Sequence, residues 1–490
     1  MSRPRTIAIT IGLMTSLLLA SLESTIIATA MPTIIADLGG LEHYSWVFAA
    51  YMVASTVTVP LFGKMADRIG RRPTYALAMA LFLAGSVLCG AAATMPALVF
   101  ARVVQGLGSG GLLPLVFTII GDSFSLEQRA RMQGVFSSVW GVSSIVGPLL
   151  GGFFVDQLSW HWIFYVNVPP GIIAAAIIWW SYRDQPRSVL RPPIDIAGAL
   201  LLSSSIVLVL LGLFDLGEPA GLPLLGGAVF SAIALVWVER RAVDPVFPIR
   251  LFAQRTFAAA CGQGLAAGFA MFGCISFVPL YARAVLGSDA TGAGILLMPM
   301  MLGWVFSAIV AGRLMMRLAF RTLAIGGMGL LVLGSAVLAL LGADAPQPLL
   351  VAALTCMGIG MGQAIPSFLI AVQSSVSRSD MGSATSAIQF TRSIGGALGV
   401  SVMGVALAAQ LDRLLRERGL DPGSIDLDAA LEPSAAGAAV SGALIGEAIA
   451  IVFVIAWIAA VLALLATLAA PGGRVSALRR PDAPPVEAGS

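Results

Sequence analysis

The apolar stretch LLLASLESTIIATAMPTI, Leu17–Ile34, contains a single acid, Glu23. A cation, Arg102, stands in a second apolar run, MPALVFARVVQGLGSGG, and Gln105 follows it by three residues, on the same face of a helix. Burying either charge alone in hydrocarbon costs ~2.5–3.5 kcal/mol on insertion scales, so each needs a partner or a wet cavity. If the first span ends near Met31, Glu23 lies about 12 Å of helix from that end, and Arg102, on a helix running the other way, about 9 Å from the same side. Two readings of this matched depth compete. One is structural: a fixed Glu23–Arg102 ion pair, or an Arg102 that snorkels to the interface. The other is chemical: a carboxylate in a cavity that is alternately wet and dry, beside a cation that sets its affinity, can load a proton on one side and release it on the other. Intramembrane acids commonly mark proton paths, which favours Glu23 as the proton carrier with Arg102 tuning it. Gln105 would hydrogen-bond substrate or that pair, or pack against a neighbouring helix.

Other residues could take part in such a site. Glu447 falls at the outer end of the last apolar run, or inside it if the helix begins near Ala435. Arg392 lies about 18 Å of helix beyond Asp380, near mid-span, where a role in the bundle interior is favoured over snorkelling. Trp140 and Met298 are among the aromatic and Met residues able to line a cavity for amphipathic compounds, with Gln105 and Glu447 as its polar members. Aromatic and Met residues more often pack or face lipid.

Helices in lipid must position these residues. Of 490 residues, 58% are hydrophobic and 11% charged, with a mean hydropathy of +0.93. That is more apolar surface than a soluble domain of this length can hide. The opening run is too long for a secretory h-region and holds an acid, so it reads as a retained span. Breaks at charged, Pro and Gly residues give spans near 6–31, 44–62, 74–93, 97–120, 132–155 and 162–182, a further pair near 195–214 and 221–238, then 257–282, 292–312, 322–341, 349–373, 382–410 and 444–470. With the N-terminus inside, twenty-two of the 28 Lys and Arg residues fall in inner loops and tails and four in outer loops, Arg102 and Arg392 being within spans. This bias predicts that both termini are cytoplasmic.

The two halves repeat each other. GKMADRIGRR at Gly63–Arg72 aligns with GRLMMRLAFR at Gly312–Arg321, with Met316 in place of Asp67. Gly106, Gly108, Gly110 and Pro114 align with Gly358, Gly360, Gly362 and Pro366, and Gly134, Ser138, Gly147 and Gly151 with Gly382, Ser386, Gly395 and Gly399. Three blocks in the same order at offsets of 248 to 252 are the trace of repeated transporter halves. The expected fold is all-α: a six-helix bundle over 1–185, a linker region with two extra spans over 186–255, a second six-helix bundle over 256–470 with an acidic outer loop at 411–443, and a disordered cytoplasmic tail at 471–490.

Several function classes are disfavoured. Cys89, Cys261, Cys274 and Cys356 lie in apolar segments and read as packing residues, and two histidines, His43 and His161, cannot build a histidine-based metal site. No metal or cofactor is expected. There is no G-x-x-x-x-G-K-[ST] to hold ATP and no G-x-S-x-G or intramembrane acid cluster for an embedded enzyme. The net charge of +3 is explained by topology, without nucleic acid.

These motifs resemble those of a known family. GKMADRIGRRP resembles the signature loop of the major facilitator superfamily, and RVVQGLGSGG and GVSSIVGPLLGG resemble motifs of its drug:proton antiporters. Together with LESTIIATAMP, SWHWIFYVNVPPG and fourteen spans, the chain resembles the fourteen-span drug:proton antiporter branch over essentially its whole length. One departure is Glu23, where that branch usually carries Asp. The resemblance implies a major facilitator fold and proton-coupled antiport, exporting hydrophobic or cationic drugs or dyes by alternating access, with antibiotic resistance as the outcome. A dedicated exporter of one metabolite, lipid or self-made antibiotic would share every motif. It also implies that Gly63, Asp67, Arg68, Gly70, Arg71 and Arg72 form a conformational latch in which Asp67 and Arg68 carry a charge network. Gly147, Pro148, Gly151 and Gly152 would mark an exporter, and Arg392, in QFTRSIGGALG, would make interdomain contacts. The implied setting is the bacterial cytoplasmic membrane, with protons, small amphipathic substrates and lipids as partners and any periplasmic adaptor left open.

Overall fold

The structure is a computed structural model that describes residues 3–39, 44–184, 195–214, 219–242, 245, 249–288, 290–341, 346–419 and 438–473. Residues 420–437 of the acidic loop and 474–490 of the tail lie outside them. The described residues form fifteen α-helices: α1 (Arg3–Leu38), α2 (Tyr44–Ile69), α3 (Arg71–Gly90), α4 (Met95–Ser123), α5 (Leu126–Gln157), α6 (Trp162–Tyr165), α7 (Val168–Ser181), α8 (Ile196–Phe214), α9 (Gly221–Glu239), α10 (Arg255–Ala284), α11 (Ala290–Leu314), α12 (Phe320–Leu341), α13 (Gln347–Ser375), α14 (Met381–Glu417) and α15 (Ala438–Leu468). Thirteen segments are long and apolar enough to cross a membrane, α6 and α7 counting as one. The 32-residue α5 makes a fourteenth plausible, at about 48 Å of helix.

Several helices outrun the apolar runs that define them. The first continues to Leu38 rather than Met31, so Glu23 lies deeper within its helix than hydropathy places it, and α14 reaches Glu417. Hydropathy reports where lipid ends, whereas the backbone hydrogen-bond ladder continues into water for as long as the residues tolerate a helix. The sixth span is broken. Val168 to Ser181 starts a new helix with Pro169 and Pro170 in its first turn, which ends the short α6 before it.

Buried apolar residues gather in separate clusters. One draws on α10 to α15, with Phe257, Tyr281, Phe320, Met357, Phe368 and Phe453 at its centre. Two others fill the first half: one around Leu13, Tyr75, Phe82 and Ile119, the other around Met31, Met95, Trp160 and Phe164. The extra helices α8 and α9 pack on each other, and α8 lies across the seam between halves, where Leu202, Ile206 and Leu210 meet Val59 of α2 and Phe390 and Ala397 of α14.

Candidate functional site

Glu23 of α1 and Arg102 of α4 are both fully buried and form an ion pair. Further polar partners surround this pair. Asn167 Nδ2 donates to Glu23 Oε2 at 3.0 Å, so the two carboxylate oxygens have separate partners. Arg102 Nη1 donates also to Gln105 Oε1 at 2.5 Å and Nε to the Val47 carbonyl at 3.1 Å, while its guanidinium stacks 4.0 Å from the Tyr51 ring centroid. Gln105 Nε2 in turn donates to Ser86 Oγ of α3 at 3.0 Å, and the Tyr51 and Ser109 hydroxyls are 2.6 Å apart. Charge-assisted bonds of this kind are stronger than neutral ones, and a satisfied network in a low dielectric fixes its members in place.

The chain's local features build this geometry. Glycine at 106 lets α4 approach α2 closely, since a Cβ there would meet the Tyr51 carbonyl oxygen at 2.6 Å. Asn167 sits at the break before α7 and makes no side-chain cap, which leaves its amide for Glu23. Nearby, Ser21 and Ser143 hydroxyls lie 2.5 Å apart and tie α1 to α5. In α5, Gly147 and Gly151 are buried four residues apart, while Gly152 faces open space. Pro148 lies in the same unbroken helix.

A second network joins the halves at the end carrying Gly63–Arg72. Asp67 accepts from the backbone N–H groups of Gly382 and Ser383 at 2.8 and 2.6 Å, and from the Ser383 hydroxyl at 2.8 Å. Those N–H groups are unpaired donors in the first turn of α14, which favours an anion there. Arg71 bonds Asp67 at 3.1 Å and Asp122 at 2.9 Å, and donates to the Arg378 carbonyl at 2.8 Å. Gln373 of α13 donates to the Phe117 carbonyl of α4 at 3.1 Å. The Tyr182 hydroxyl donates to Asp122 at 3.4 Å. Gly70 takes φ of +121°, which favours glycine, and Asp184 accepts from the N–H groups of Arg71 and Arg72 to seat the start of α3.

Some expectations need correction. Arg71, not Arg68, is the ion-pair partner of Asp67: the chain turns at Gly70 between α2 and α3, and the turn brings Arg71, the first residue of α3, back to Asp67 near the end of α2. Arg72 stacks on Trp179 at 4.1 Å. Glu447 is not buried: α15 begins before it, yet its side chain is 52% exposed and pairs with Arg418 at 2.6 Å. Trp140 and Met298 are exposed on α5 and α11 and join neither network. For Arg392, the contact in view is with its own half, its carbonyl packing on Gly268 of α10. Asn167, Tyr51 and Ser86 are network members that sequence reasoning did not assign. The Asn-Val-Pro-Pro run was the available signal for Asn167, since a polar residue before a helix break has an uncommitted side chain. Among the described residues, no group of His, Cys, Asp and Glu has the makeup of a metal site.

A bundle of long apolar helices in repeated halves, with a buried charge pair in one half and a polar network joining them, defines a membrane transporter. The Major Facilitator Superfamily profile matches residues 13–400, and the chain belongs to that family. It is 36% identical over 421 residues to the Multidrug transporter protein MdtP of Bacillus subtilis, covering 84% of this chain and 77% of that one. It is also 36% identical over 408 residues to Multidrug resistance protein 3 of the same organism, covering 81% and 78%. In structure it resembles the human organic anion transporter MFSD10 with a TM-score of 0.65 at 15% identity, covering 94% of this chain and all of the other.

Proposed function

We propose that this transporter is a proton-coupled antiporter that exports amphipathic compounds across the cytoplasmic membrane of a bacterium, with both termini in the cytoplasm. The observation that carries the reading is the two-sided engagement of Glu23, by Arg102 on one oxygen and Asn167 on the other. A proton arriving at Glu23 competes directly with the Arg102 guanidinium. Protonation removes the anion and leaves a buried cation to seek another partner, so α1, α4 and the α6–α7 break are held together in one protonation state and released in the other. The bonds that Arg102 donates to Gln105 Oε1 and the Val47 carbonyl, with its stacking on the Tyr51 ring, keep it in place while Glu23 changes state.

The latch supplies the alternation. Asp67 and Arg71 shut the cytoplasmic end in this conformation, and export requires that this end open to load substrate. The names of the two Bacillus relatives support multidrug efflux as the activity.

Proton flux into proteoliposomes loaded with a pH dye, on addition of ethidium as a cationic probe and of a neutral hydrophobic dye, tests the coupling. Substrate-dependent flux is expected in the wild type, with none in Glu23→Gln. Equal flux in both proteins would leave antiport standing and reduce Glu23 to a structural residue; no flux with any probe would sink the reading.

A further inference from the structure

Arg392 is the counter-case to Arg102. It stands in α14 twelve residues beyond Asp380, about 18 Å of helix from that end. Its guanidinium makes no ion pair or hydrogen bond among the described residues, and no carboxylate faces it there. Its direction follows from its own helix. Thr385, Gln389, Arg392 and Gly396 recur at the spacing of one helical face. At its start this face looks inward: Gln373 of α13 donates to Thr385 Oγ1 at 3.4 Å and to the Phe117 carbonyl of the first half. Phe390 and Ala397, on another face, pack against α2 and α8. Gly268 seats the Arg392 backbone against α10, since a Cβ there would strike the Arg392 carbonyl oxygen.

Next to Arg392 on this inward face, Gln389 is 4% exposed and its Nε2 is buried without a hydrogen-bond partner. Two donor groups, one of them cationic, thus lie one turn apart on this face of α14, with no acceptor for them among the described residues. Buried donors are rarely left unpaired, and an intramembrane cation is retained where something neutralises it. The acids Glu23 and Asp67 cannot do so, for each is engaged in its own network.

Resting on the exporter reading above, we infer that Arg392 and Gln389 bind the anionic group of an amphipathic carboxylate substrate at this face of α14. The geometry suits it: a carboxylate presents two acceptor oxygens, one for the guanidinium and one for the amide, while the apolar body of the substrate lies along the helices. An anionic lipid headgroup offers the same chemistry but belongs near the membrane surface rather than about 18 Å along the helix.

Fluorescence titration of the full-length protein in phosphatidylcholine nanodiscs, with pyrenebutyric acid and with its methyl ester, separates charge from hydrophobicity. The wild type is expected to bind the acid about tenfold tighter than the ester, the size of one charge-assisted bond. Arg392→Gln should lose that preference while binding the ester as the wild type does. If Arg392→Gln does not fold, Arg392→Lys decides: a retained preference supports the site, and a lost one overturns it. Gln389→Leu should weaken the acid alone. No preference in the wild type, or its persistence in Arg392→Gln, overturns the inference, as does loss of the preference when phosphatidylglycerol is included, which would give the site to lipid. The outcome is separable from that of antiport, because acid binding needs no proton gradient and ethidium-driven flux through Glu23 needs no Arg392.

Discussion

The loop Gly63–Arg72 and its counterpart Gly312–Arg321 occupy equivalent places in the two halves, yet only the first grips the opposite half through an acid. The reason lies in the helices they face. α5 caps its own start: Ser125 Oγ accepts from Gln128 N at 3.4 Å and Gln128 Oε1 from Ser125 N at 3.0 Å, a reciprocal box. α14 has no such device. Its N-cap residue, Asp380, makes no side-chain cap and is engaged by Arg250 and Ser377, so the N–H groups of Gly382 and Ser383 are left for Asp67. Where Asp67 fills its interface, Met316 is 43% exposed and borders a cavity of about 820 Å³ with Glu127, Ser138, Arg313 and Arg317. A helix that caps itself needs nothing from the other half. One that does not can be capped from the other half, and such a cap is what the proposed latch would make and break.

Breaking Asp67 should have the largest effect. Asp67→Asn weakens two backbone bonds and leaves Arg71 with Asp122 as its one carboxylate partner, a shift of about 3 kcal/mol, or about a hundredfold, toward the state open at that end. A cysteine placed at the buried Thr385 reports this, reacting faster with an impermeant maleimide applied from the cytoplasmic side; unchanged labelling would mean that Asp67 is no latch. Gly382→Ala comes next, because its Cβ would meet Asp67 Oδ1 and the Gly63 carbonyl at 2.7 Å each. Strain of about 1–3 kcal/mol should open the same end with Asp67 still charged, and labelling at the wild-type rate would count against the close approach. Ser383→Ala removes the hydroxyl bond and leaves both backbone bonds, about 1 kcal/mol, read as a modest rise in labelling. Met316→Asp should act least and in the opposite direction. An acid brought towards an already capped helix start adds about 0.5 kcal/mol to the closed state, slowing labelling about twofold. A slowing as large as the Asp67→Asn acceleration would show that self-capping of α5 does not explain the asymmetry.

Much of this was legible in the sequence because the membrane makes charge rare. Glu23 and Arg102 could be paired by depth alone, and Gln105 by its spacing, since so few polar residues compete for them. Asp67 stood out through its motif, but its partners in the other half did not: backbone N–H groups carry no residue identity, and nothing in Gly382 or Ser383 announces a vacant helix start. Arg68 and Arg71 are both neighbours of Asp67 in one dimension, and only the turn at Gly70, which ends α2 and starts α3, separates them. Asn167 was hidden by its loop, where Asn is ordinarily a turn former. Arg392 was visible as an interior cation, but its lack of an acid partner is a property of every helix around it.

The burial of Glu23 also bears on how the chain is made. α1 leaves the ribosome long before α4, so its carboxylate must enter the bilayer with no guanidinium to meet it, at a cost of ~2.5–3.5 kcal/mol. The first helix is therefore a poor self-anchoring segment, held at the insertion machinery or only loosely in lipid until Arg102, and then Asn167 from the broken sixth span, arrive. The residue that we assign to carrying protons in the finished protein thus also sets the order in which its first half assembles.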